Sequence, residues 1–159
     1  MIAVVQRVLS SSVRVEGEIV GQIGQGLLAL VAVAEADGDE EIAWTARKLA
    51  SLRIFRNGDK HFDLNVREAG GAVLLVSNFT VAADTRHGRR PSFAAAAGPE
   101  VGRKGFDALA DAVRAEGVPV QTGRFGADMK VELVNDGPVT VIVESGQEAR
   151  RRMNTNGHE

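Results

Sequence analysis

The chain has 159 residues, a net charge of −2 and 25% charged residues, which suits one domain with a real core and excludes a generic, strongly basic polyanion binder. It has no cysteine, so a disulfide scaffold, a thiol nucleophile and thiolate metal sites are excluded. Glycine is frequent (18 residues) and aromatics are scarce (4%), which predicts many tight turns and a core of Val, Leu, Ile and Ala.

Residues 2–8, IAVVQRV, predict a strand in which the charge of Arg7 needs water or a partner. Val13 and Val15 alternate with Arg14 and Glu16, a period of two. Glu16-Gly17-Glu18 predicts a hairpin turn, with Ile19-Val20 starting the return. The run Leu27 to Ala34 is continuously apolar and suits a central strand buried on both faces. Asp39 is a candidate helix cap, and Ile42, Ala46, Leu49 and Ala50 recur at helical spacing over 40–51. A hairpin is expected around Asn57-Gly58, followed by a buried strand from Val73 to Val76.

Ser77-Asn78-Phe79-Thr80 then interrupts that strand. Two readings stand side by side: a bulge or strand end, or a stretch whose N–H groups line a pocket and could hold an oxyanion. Residues 84–93, DTRHGRRPSF, form a basic loop. Arg86, His87, Arg89 and Arg90, with Arg103 and Lys104 beyond, are either a solvated cluster or a phosphate clamp. A helix is expected over 99–116, with Val101, Phe106, Leu109, Ala110 and Val113 as its apolar stripe, stopped by Gly117 and Pro119. A glycine-rich turn follows, then a strand carrying Met129, Val131 and Leu133 on one face. Val139 to Val143 is a β-branched strand that opens on Gly137-Pro138, an odd start because proline cannot donate to a ladder.

The expected fold is α+β: a largely antiparallel sheet curling toward a barrel, with two packed helices. Residues 1–145 are expected to form one domain, and 146–159 a polar tail expected to be disordered. No signal peptide or membrane span is readable, so a cytoplasmic location without membrane contact is expected. His61, His87 and His158 lie in no ligand-spaced cluster, and no metal or cofactor is expected. The segment GQIGQG precedes a strand, which removes the phosphate-cradling geometry of a nucleotide loop. A Ser77-His87-Asp84 triad lacks a nucleophile elbow.

Four motifs in this order, MIAVVQRV, LRIF, LLVSNFTVAADTRHGRRPSF and QTGRFGADMKVELVNDGPVT, make the chain resemble the D-aminoacyl-tRNA deacylases over 1 to about 144. One departure is Asn78, where the family usually has glutamine. The resemblance implies a homodimer that hydrolyses the ester between a D-amino acid, or glycine, and the 3′ end of tRNA. It implies a cis Gly137-Pro138 that enters the other subunit's active site, from which rejection of L-amino acids by main-chain repulsion follows as a hypothesis. It further implies an oxyanion held by N–H groups around Asn78 and Phe79, with Thr80 as a second-ranked nucleophile behind water or the ribose 2′-OH. Phe125 and Met129 would border the terminal adenosine, and Arg7 would brace Gly137-Pro138 across the dimer. Arg86, Arg89 and Arg90 would contact the acceptor stem. An esterase of small acyl substrates and a non-catalytic tRNA-binding module are the rival expectations.

Overall fold

The computed structural model describes residues 1–146, so the expected tail lies outside the described residues except for Gly146. The first strand, β1 (Ile2–Val15), runs through the whole first apolar segment and turns at Glu16-Gly17 into β2 (Glu18–Ile23). Both turn residues have positive φ, 50° and 82°, the primed geometry that matches the twist of a hairpin. β3 (Gly26–Ala32) follows, then α1 (Asp39–Ser51). The helix is entered at Gly38 rather than at the expected Asp39 cap: the Gly38 N–H donates to the Glu41 carboxylate at 2.9 Å, and Asp39 is already helical. β4 (Phe55–Asn57) and β5 (Lys60–Leu64) make the expected separate hairpin. β6 (Ala72–Ser77) ends in a 3-10 turn, Phe79–Ala82, and α2 spans Pro99–Ala115. A short β7 (Val120–Thr122), hidden in the sequence by its neighbouring glycines, precedes the long β8 (Lys130–Glu144).

The main sheet has the order β2-β1-β3-β6-β7, with β8 on the other edge of β1 along part of its length. β1 pairs antiparallel with β2, β3 and β8, whereas β3–β6 and β6–β7 are parallel. The sheet therefore departs from the expected pattern at β6 and β7, each reached by a crossover. The two ends of the order approach each other: a Cβ at Gly21 of β2 would lie 2.4 Å from the Thr122 carbonyl of β7, so only glycine allows the barrel to come this close to closing. The expected α+β, barrel-like fold is what the chain adopts.

Strand alternation divides the apolar residues between two cores. Leu27, Ala29 and Val31 of β3 and Val73 and Leu75 of β6 face the helices, where Leu49, Phe106, Leu109 and Val113 cover them. Leu28, Leu74 and Val76 face inward with Val8, Val13 and Ile23. That double burial explains why the β3 and β6 sequences are unbroken apolar runs. On α2 the expected stripe holds except at its start: Val101 is exposed and Gly102 takes the buried position. Among the described residues no helix is long and apolar enough to cross a membrane.

Between the pairs Gln6–Thr140 and Val8–Asn135, β1 contributes one residue, Arg7, and β8 contributes Asp136, Gly137, Pro138 and Val139. Gly137-Pro138 is thus the tip of a bulge that leaves the ladder opposite Arg7. Its peptide bond is cis, and both residues are exposed. A proline that would break a central ladder is tolerated because it stands outside it.

Candidate active site

A cavity of about 810 Å³ opens where the C-terminal ends of β3 and β6 meet α2 and the turn before β8. Its floor is apolar, from inward residues such as Leu28 and Val76, and polar side chains come from Ser77 and Asn78 at the end of β6 and from Asp128 in the turn before β8. Ser77, Asn78 and Phe79 line it, and so do Phe125 and Met129 from a segment some fifty residues on in sequence. The structure brings together five of the residues singled out in the sequence. Thr80, Arg7, Gly137 and Pro138 do not line the cavity, nor do Arg86, Arg89 and Arg90.

The polar wall follows from how β6 ends. Ser77 is the last strand residue and pairs with Val31. The Asn78 N–H donates to the Val31 carbonyl at 2.8 Å, one further rung of the same ladder. The chain then coils, and the first bond of the 3-10 turn is Val81 N–H to the Asn78 carbonyl at 3.2 Å. Among the turn and loop backbone hydrogen bonds of the described residues, none uses the N–H of Phe79 or Thr80. Donors at the start of a helical turn have no partner within it, and those of Phe79 and Thr80 are in that position. The Asn78 N–H, expected among the oxyanion donors, is thus engaged with Val31 in this structure. The Thr80 hydroxyl donates to the Asn78 side-chain carbonyl at 2.5 Å, so the asparagine works as the acceptor for its neighbour.

Aromatic contacts shape the rest. Phe79 packs edge-on against Phe93, ring centroids 5.2 Å apart, and both line the cavity while partly exposed. Phe125 lies 6.4 Å from Phe106 and carries the Arg103 guanidinium over its ring at 4.8 Å. Gly102 leaves the space for that ring, since a Cβ there would stand 3.3 Å from Phe125 Cζ. Neither Phe93 nor Gly102 stands out in the sequence as a site residue. Only the placement of α2 against the 123–129 turn makes them part of the site.

Arg7 is buried, 3% exposed, and its Nε donates to the Asp136 carbonyl at 3.1 Å while Nη1 donates to the Ile54 carbonyl at 2.9 Å. Within the chain itself, these bonds brace the segment that carries Gly137-Pro138. In the basic loop, Asp84 and Ser92 exchange backbone hydrogen bonds at 2.8 and 2.9 Å and pin its base. Arg86 is engaged with Asp84, Nε to Oδ1 at 2.9 Å and Nη2 to Oδ2 at 2.7 Å. That guanidinium holds the Asp84 carboxyl down at about 2, and the Arg86 pKa is raised in return. Arg89 and Arg90 are exposed.

A family model described as D-Tyr-tRNA(Tyr) deacylase matches residues 4–144. The chain belongs to this family. A D-aminoacyl-tRNA deacylase of Methylococcus capsulatus is 54% identical over 90% of this chain and 94% of its own length. One from Pelobacter propionicus is 54% identical over 91% and 99%. A solved chain described as the c-Myc DNA unwinding element binding protein superposes with a TM-score of 0.86 at 33% identity, covering 92% of this chain and 99% of that one. A probable eukaryotic D-amino acid tRNA deacylase shares the fold, with a TM-score of 0.76 at 18% identity over 89% and 97%. Members of the deacylase family are thus matched along nearly the whole described chain, cavity and bulge included.

Proposed function

We propose that this protein hydrolyses the ester that joins a D-amino acid, or glycine, to the 3′-terminal adenosine of tRNA, as a homodimer in the cytoplasm. The observation that carries the reading is the meeting of the Ser77-Asn78-Phe79 wall with Phe125 and Met129 in one cavity, in a chain 54% identical to D-aminoacyl-tRNA deacylases. Residues 1–145 act as a single catalytic domain in this reading.

Water, assisted by the ribose 2′-OH, attacks the ester carbonyl carbon. The C–O bond to the ribose breaks, the ribose oxygen takes a proton, and the free D-amino acid and tRNA leave. The negative charge that builds on the carbonyl oxygen is held by a backbone N–H at the end of β6, that of Phe79, which lines the cavity. Fixed donors of this kind are effective because they need no reorganisation as charge develops. Ser77 and Asn78 shape the wall, and Phe125 and Met129 border the adenosine. Arg89 and Arg90 meet acceptor-stem phosphates, with Arg86 a weaker contributor because Asp84 already occupies it.

The homodimer reading rests on two features. Gly137 and Pro138 project from β8 yet line no part of their own chain's cavity. Leu9, Val134 and Ile142 of β1 and β8 are exposed apolar side chains, Ile142 at 67%. A second copy laid against this face covers them and carries a Gly137-Pro138 tip toward the cavity. A main-chain carbonyl there blocks the direction an L side chain needs and leaves the D direction open, so side-chain identity matters little.

The test is a deacylation assay with matched D- and L-aminoacyl-tRNA, alongside sedimentation of the purified protein. Rapid release of the D form, persistence of the L form and a dimer are expected. Equal cleavage of both forms, or full activity on D-aminoacyl adenosine with no gain from tRNA, overturns the reading.

A further inference from the structure

The exposed Gly137-Pro138 bulge is tied at its root to two other elements. Asp136, the residue before it, takes Nη1 of Arg56 on its carboxylate at 3.0 and 3.3 Å. Nε of Arg7 stands 3.3 Å from the same carboxylate. Arg7 also bonds the Asp136 carbonyl and, with Nη1, the carbonyl of Ile54, which leads into β4. The contacts close a ring: Arg7 joins 136 to 54, and Arg56 joins 56 back to 136. On the far side of the tip, Asn135 accepts the Val139 N–H at 3.0 Å and donates to the Thr140 hydroxyl at 2.9 Å. The four-residue excursion is therefore stapled at its neck by Asn135 and steered at its base by Asp136.

Arg7 is buried and has little room to move, whereas the side chain of Arg56 is 48% exposed. An ion pair this exposed adds little to stability. Its effect is directional: it fixes one side of a carboxylate that Arg7 holds from the other. We infer that the Arg56–Asp136 contact makes the β4–β5 hairpin a specificity element, which sets how firmly the Gly137-Pro138 tip stands and so how strictly L-amino acids are refused. The inference rests on the proposed reading of that tip and deepens it. Arg56 and Asp136 are positioning residues, since neither lines the cavity.

Rejection by clash depends on the blocking atoms staying in place. If their support loosens, the L form gains because its clash is relieved, and the D form gains nothing because it met no clash. The D/L ratio of kcat/KM is the appropriate readout, because loss of folded protein lowers both rates together and leaves the ratio unchanged.

The experiment compares R56A, R56K and D136N with the unaltered protein on D- and L-aminoacyl-tRNA. R56A is expected to lower the D/L ratio about tenfold, through faster L cleavage, in keeping with the cost of small misplacements in a rigid site. R56K is expected to recover most of it, because Arg56 meets the carboxylate through one nitrogen and a point charge suffices. D136N removes the charge that both arginines share and is expected to lower the ratio further. Added salt is expected to lower the ratio of the unaltered protein more than that of R56A. Ratios within twofold of the unaltered protein in both R56A and D136N overturn the inference alone. An unaltered protein with no D preference overturns the reading of the tip, and this inference with it.

Discussion

The N–H of Asn78 donates to the carbonyl of Val31 at 2.8 Å, which fixes which donors the cavity wall has left to offer. The bond extends the parallel β3–β6 ladder one residue beyond the strand. It engages the Asn78 N–H and leaves the proposed oxyanion role to Phe79, which opens the 3-10 turn and lines the cavity. The Asn78 side chain then holds the Thr80 hydroxyl. A backbone site of this kind needs no special side chain, in keeping with the lack of a triad in the sequence.

Replacing Thr80 with valine separates the backbone from the hydroxyl. The hydroxyl proton goes to an amide oxygen, which is no general base, so Thr80 has no means of becoming a nucleophile through this contact. T80V is expected to keep kcat/KM within a few-fold, because its N–H is retained. Loss of a true oxyanion donor costs ~10²–10³ in rate. A single-turnover assay that found a loss of that size in T80V would give the hydroxyl a place in the chemistry.

Much of this arrangement was legible in the sequence, for reasons that can be named. The doubly buried strands announce themselves as Leu27–Ala34 and Val73–Val76, and the hairpin turns as Glu16-Gly17 and Asn57-Gly58. What escaped reading depends on contacts between distant segments. The parallel pairing of β6 with β7 carries no local pattern, because three residues beside glycines do not look like a strand. Nothing local in the sequence links Asp136 to Arg56, which the bulge places 3.0 Å apart. Arg86 reads as one of three equivalent cations, and only the loop's closure at Asp84 and Ser92 shows it to be engaged.

That inequality among the arginines predicts different salt responses. Each phosphate contact contributes roughly 0.7–0.9 to the slope of log affinity against log salt. R89A and R90A are each expected to reduce the slope for tRNA binding by about that amount. R86A is expected to change it less, and D84N, which releases the Arg86 guanidinium, to raise it. Filter binding over a salt series reads all four. Equal slopes for R86A and R89A would mean that the Asp84 pair opens at no cost when tRNA arrives.

The Asp84 pair also has a defined pH range. Hydrogen bonds from Arg86 hold the carboxyl at about 2 against an ordinary 3.8. A depressed carboxylate contributes its stabilisation above the ordinary value and loses it as pH falls through the lowered one. The loop contact is therefore expected to be complete at pH 4 and above and to open as pH falls toward 2. Carboxyl NMR of Asp84 is expected to titrate near 2, and R86A to move the midpoint up toward 3.8. A midpoint near 3.8 in the unaltered protein would mean the pair does not persist in solution.

Two glycines make room for the two residues proposed at the adenosine, and they differ in what an added methyl would meet. At Gly123 a Cβ would lie 2.7 Å from the sulfur of Met129, the far end of a flexible thioether that can swing aside. At Gly102 it would lie 3.3 Å from Phe125 Cζ, on a ring already held by Phe106 at 6.4 Å and by Arg103 at 4.8 Å. Alanine inside α2 gains about 1 kcal/mol of helix propensity. Overpacking costs about 1–3 kcal/mol, so the net loss is at most about 2 kcal/mol and the melting temperature of G102A is expected to fall by less than about ten degrees. Phe125 lines the cavity, so a shift of its ring is expected to raise KM for D-aminoacyl-tRNA several-fold while kcat changes less. G123A is expected to leave KM nearly as it was. If G102A binds substrate as tightly as the unaltered protein, Phe125 does not border the substrate, and the adenosine lies elsewhere along the cavity.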